Sequence, residues 1–181
     1  MDTFEKFGST SRLKSQSQTA GRGIDSPIAS RMLGRMENIV PLISSGTEGP
    51  LGLKHLPRLW VKTLLSAAGR LPQGYKAVGP GFDYVVLQGL GVDLEAARAF
   101  IFQQRPSYLA FEQWIREQPG VDVSPENIAK INGILVDKKK VPEARLEILR
   151  DNELPEDTPI EDGIMLNNLD DWKALHDQVT R

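Results

Sequence analysis

Beyond residue 53, apolar positions recur at spacings of three and four, and no long stretch alternates apolar with polar. That periodicity predicts helices, because residues three or four apart share one helical face. Pro57 suits the first turn of a helix over 57–68, with Gly69 as its stop. Residues 82–88 form a short apolar helix, although Tyr84 to Leu87 is also the one stretch that reads as a strand. Asp93 caps a helix from 94 to about 104. Over 107–117, Tyr108, Phe111, Trp114 and Ile115 fall on one face of a further helix. Ser124-Pro125-Glu126 opens another, with Ile128, Ile131, Ile134 and Leu135 apolar. Helices over 142–150 and 169–179 follow, separated by an acidic, proline-containing loop over 153–163. The expected class is all-α, a small irregular bundle of about six to seven short helices with an extended N-terminal arm.

The first fifty residues pattern differently. Residues 1–25 are rich in Ser, Thr, Gln and Gly, with too few apolar side chains to offset ordering entropy, and predict an arm that is disordered or ordered by a partner. Ser26-Pro27 then reads as a cap and first helical residue. Ile28, Met32, Met36 and Ile39 continue it as an amphipathic helix ending near Pro41. Residues 44–53 read as a Gly-rich linker. The expected division is an arm over 1–25, a helix and linker over 26–52, and a helical domain over 53–181.

Composition narrows the chemistry. A charge of −2 over 181 residues implies no wholesale nucleic-acid binding. The absence of cysteine removes disulfides, thiolate nucleophiles and Cys-based metal sites. No apolar run reaches the roughly 20 residues of a membrane span, and residues 1–22 lack the apolar centre of a secretory signal, so a cytoplasmic location is expected. Residues 1–46 carry six Lys or Arg against four acids, whereas 151–171 carry eight acids and no base. The acidic stretch argues against a phosphate partner there.

The candidate site lies on the 57–68 helix. Leu56, Trp60, Leu64 and Ala67 share one face, and Arg58, Lys62 and Ser66 the opposite one. Leu59, Val61 and Leu65 fill much of the space between, and a helix apolar nearly all round is usually buried. Two cations one turn apart repel, so Arg58 and Lys62 call for an acid or an anionic ligand between them. Asp83, Tyr75 and His55 are close enough in sequence to complete a polar cluster. The plainer alternatives are a solvated stripe, or an internal pair with Asp83. Neither His55 nor His176 has a His-x-x-x-His partner, so no metal site is expected, and no cofactor signature is present. Gly79-Pro80-Gly81 and Gly89-Leu90-Gly91 do not fit a phosphate-binding loop. Lys138-Lys139-Lys140 reads as solvated surface. Phe100, Phe102, Tyr108, Phe111 and Trp114 read as core, not as a base-stacking platform.

Leu56-Pro57-Arg58, with Lys62 four residues on, then Ala68-Gly69, Tyr75, Asp83 and Leu90-Gly91-Val92-Asp93, resembles the bacterial domain-of-unknown-function family 5069. The similarity continues through Phe111, Trp114-Ile115, Asn132, Leu154-Pro155 and Leu169-Asp170, covering about residues 53–175. The resemblance implies one small helical domain and gives weight to Arg58, Lys62, Tyr75 and Asp83. It brings no activity. The arm and the Lys138–Lys140 loop depart from the pattern.

Two functions follow as expectations. In the first, an anionic small molecule is bound by Arg58 and Lys62. Any catalysis would be metal-free acid–base work of lyase, isomerase or cyclase type by Lys62, Asp83, Tyr75 or His55. In the second, the chain is a non-enzymatic accessory subunit whose N-terminal arm docks on a larger protein assembly.

Overall fold

A computed structural model describes residues 37–180. Among them are seven helices: α1 (Leu56–Ala67), α2 (Phe82–Leu90), α3 (Leu94–Gln104), α4 (Tyr108–Arg116), α5 (Pro125–Asp137), α6 (Pro142–Asp151) and α7 (Gly163–Thr180). The described residues form no sheet, only isolated bridges between Glu48 and Lys54 and between Lys139 and Asp162. The fold is an all-α bundle. The arm over 1–25 and most of the expected 26–40 helix lie outside the described residues, and the accessory-subunit reading stands on those segments. Residues 37–40 carry no helix.

Local chemistry accounts for the helix starts. Asp93, Ser107 and Ser124 each accept a hydrogen bond from the backbone N–H three residues on, at 2.7, 3.3 and 3.3 Å. Such caps satisfy donors that a helix leaves orphaned at its first turn. The stretch from Tyr84 to Leu87 is helical. Val86 and Leu87 are wholly buried there, and a short apolar run is read equally well by a strand or a buried helix until its packing is known. The last helix begins six residues before the expected 169. Asp162 caps it, accepting from the Ile164 and Met165 N–H groups at 2.9 Å each.

The main core gathers Leu53, Leu56 and Leu59 with Val86, Leu87 and Leu90. Ile101, Phe111, Ile131 and Leu135 close it from α3, α4 and α5. Phe100 stacks on Trp114 at 4.7 Å between ring centroids, so these aromatics serve packing between α3 and α4. The close approach of α2 to α5 depends on Gly89, where a Cβ would lie 2.7 Å from the Ile131 side chain. A smaller cluster of Ile148, Leu149 and Leu166 joins α6 to α7.

Residues 37–53 form turns, as a linker would, yet they pack as part of the bundle. Val40, Ser45 and Leu51 are buried. Asn132 of α5 clasps the segment, donating to Gly52 O and accepting from Lys54 N at 2.8 Å each. The buried Glu112 accepts from Leu51 N at 3.2 Å. Backbone groups that no helix satisfies are thus met by side chains far along the chain.

Candidate functional site

His55 occupies the N-cap position of α1 but caps nothing with its side chain. Its backbone is left-handed, at φ 67°, a conformation uncommon outside glycine and less so for His than for most residues. The side chain turns instead to Asp83, placing Nε2 2.8 Å from Oδ1. Asp83 stands in the first turn of α2 and is 3% exposed. Its other oxygen accepts from Lys62 Nζ at 2.7 Å and from Gly79 N at 2.8 Å. Lys62 belongs to α1, so this carboxylate ties α1, the α1–α2 loop and α2 together.

Burial alone would raise the Asp83 carboxyl, but the His55 hydrogen bond and the Lys62 charge outweigh it and hold the group below its ordinary value. Burial also pushes His55 down, and together with the Lys62 and Arg58 charges it outweighs the upward pull of the Asp83 carboxylate. His55 is therefore a neutral imidazole at neutral pH. A carboxylate only accepts, so Nε2 carries the proton and Nδ1 keeps its lone pair. Nδ1 is buried and has no hydrogen-bond partner among the described residues.

Arg58 makes a separate buried pair. Its Nη1 and Nη2 donate to the two oxygens of Asp171 in α7, at 2.5 and 2.8 Å. Nη1 also reaches Pro41 O at 2.7 Å and Ile43 O at 2.9 Å. Two-pronged pairing of this kind is the strong form of the Arg–carboxylate contact. Tyr75 donates to Asp171 Oδ1 at 2.8 Å. Burial and the Asp171 charge raise the Tyr75 phenol well above its usual value, so it stays protonated. Arg58 and Lys62 are thus both inward-facing and both already paired, Lys62 with the expected Asp83 and Arg58 with Asp171.

All five sequence-predicted residues, His55, Arg58, Lys62, Tyr75 and Asp83, line one cavity of about 540 Å³. Its lining also includes Lys138, Lys139 and Lys140 of the α5–α6 loop and Asn167 and Asp170 of α7. Sequence reasoning placed those lysines in solvent. In the structure Lys138 and Lys140 are half-buried, and only Lys139 is exposed. The loop is pinned to the start of α7, where Gly163 N donates to Lys138 O at 3.1 Å. Asp171 was also missed as the partner of Arg58. It lies 113 residues from Arg58, and no local pattern links the two. Among the described residues, no group of three or more His, Asp or Glu side chains is arranged to hold a metal ion. No described helix is long and apolar enough to cross a membrane.

The sequence matches no family model, and a search of curated proteins likewise gave no match.

Proposed function

We propose that this protein binds an anionic small molecule in the cavity between α1, α2 and the Lys138–Lys140 loop, and that His55 is the base for any proton transfer there. The observation that carries the reading is His55 itself, a buried, Asp-oriented, neutral imidazole whose second nitrogen has no partner among the described residues, on the wall of a cation-lined cavity. A volume of about 540 Å³ falls within the usual range for small-molecule pockets. Six cations on the wall, including Arg58, Lys62 and Lys140, favour a negative ligand.

The acid–base roles follow from the hydrogen bonds. Asp83 holds the imidazole by Nε2 and fixes its tautomer, leaving Nδ1 as the basic nitrogen. Nδ1 is covered in this structure, so proton transfer to it requires the ligand to displace the side chains over it. The imidazolium that forms is stabilised by the same carboxylate. Lys62 keeps Asp83 ionised, and Tyr75 positions Asp171 against Arg58. The reaction class is proton abstraction of the kind used in elimination, isomerisation or cyclisation. The positions that carry the family resemblance, Arg58, Lys62, Tyr75 and Asp83, all lie on this wall.

The test is a melting-temperature screen of the full chain against anionic metabolites. An anion at a hundred times its Kd is expected to add about 2.7 kcal/mol. His55→Gln keeps a donor for Asp83 and removes the basic nitrogen. It is expected to lower turnover of any screened substrate by about 10² to 10⁴-fold while the protein stays folded. A chain whose melting temperature no anion shifts would defeat the reading.

A further inference from the structure

The charge on the cavity wall is not balanced, and the imbalance specifies the ligand more closely. Of the six wall cations, Arg58 is matched by Asp171, Lys62 by Asp83 and Lys139 by Glu161. Lys76, Lys138 and Lys140 form no ion pair among the described residues. Asp170, on the same wall, offsets one of the three, and His55 is neutral. Among the described residues of the wall, two positive charges therefore remain without a counter-charge. They come from two loops that both line the cavity, Lys76 between α1 and α2 and the other lysines between α5 and α6.

Resting on the anion-binding reading above, we infer that the ligand is a dianion, and that Lys138 and Lys140, with Lys76 at the rim, hold its charge while Arg58 and Lys62 brace the wall. Arg58 has its Nη1 committed three ways and its Nη2 committed to Asp171. Lys62 lies against a carboxylate that also binds two other groups. Withdrawing either cation to grip a ligand would leave a buried carboxylate unpaired, a costly exchange. Lys140 makes no such hydrogen bond or ion pair among the described residues. Burial holds its ammonium below the ordinary lysine range even though Asp170 and Asp171 pull it up. A cation in that state gains from any anion that arrives beside it. Phosphate monoesters and dicarboxylates share the required charge.

The experiment is calorimetric titration of the full chain at low salt and about pH 8, where a phosphate monoester is doubly charged. Two matched pairs of probes separate charge from shape: methyl phosphate against dimethyl phosphate, and succinate against its monomethyl ester. The dianion of at least one pair is expected to bind about tenfold or more tightly than its monoanionic ester, and which pair does so tells a phosphoryl from a dicarboxylate ligand. Lys138→Gln and Lys140→Gln are each expected to weaken that binding about tenfold, and Lys140→Arg to restore it. Each variant is first shown to melt like the wild type. Equal binding of dianions and monoanions, or indifference to Lys138 and Lys140, overturns this inference and leaves the anion-binding reading standing. Failure of all four probes to bind overturns both.

Discussion

At Asp83, three donors converge on one buried carboxylate, and two of them come from residues that also need it. This makes His55 and Asp83 sensitive to pH in a direction that can be worked out. The folded-state pKa of His55 is below 6.5, so between that value and 6.5 the unfolded chain binds more protons. Its contribution to stability is complete above about pH 6.5 and is lost as pH falls below it. Asp83 is also lowered from 3.8, so its contribution persists above that value and is lost as pH falls through the folded-state pKa. Urea midpoints measured down the pH scale are expected to decline first from about pH 6.5 and again in the acid range. His55→Gln is expected to remove the first decline and keep the second. A wild-type midpoint that stays level between about pH 7 and pH 5 would contradict a neutral, buried His55.

Among the elements, the lysine loop depends on α7. Gly163 opens that helix, and a Cβ there would stand 2.5 Å from Lys138 O and 3.0 Å from the Phe82 ring. Phe82 begins α2, so Gly163 lies close to two neighbouring walls of the cavity and leaves no room for a side chain between them. Gly163→Ala is expected to cost about 1–3 kcal/mol through overpacking and to weaken anion binding by shifting the loop. Gly133→Ala is the contrasting case. It lies inside α5, is exposed, and has nothing within 4 Å of the added methyl. Replacing it is expected to stabilise the chain by about 0.5–1 kcal/mol, since alanine suits a helix interior better. Thermal unfolding of the two variants with and without ligand checks both signs.

For the molecule as a whole, the boundary of the cooperative unit lies further upstream than hydrophobic periodicity indicates. Val40 and Leu51 are buried, and the carbonyls of Pro41 and Ile43 satisfy Arg58. Burying each of two such apolar side chains contributes about 1.5–3 kcal/mol. Their sum approaches the roughly 5–15 kcal/mol that keeps a domain folded. A chain shortened to residues 53–181 is expected to unfold without a sharp transition in circular dichroism, whereas one spanning 37–181 melts cooperatively. A sharp, wild-type-like transition in the shorter chain would show that the segment contributes little.

Helix existence and order were legible in the residues because caps, prolines and 3.6-residue periodicity act within a few positions of one another. Asp93, Ser124, Pro57 and Pro142 mark starts that the structure keeps. The gathering of His55, Lys62 and Asp83 was legible too, because the chain between them is short and a buried cation demands an acid. The pairing of Arg58 with Asp171 was not, nor the placing of Lys138 and Lys140 on a cavity wall. Those are long-range juxtapositions, set by how α5, α6 and α7 pack back on α1 and α2, and a lysine triplet carries the same local signature in solvent as it does facing a pocket.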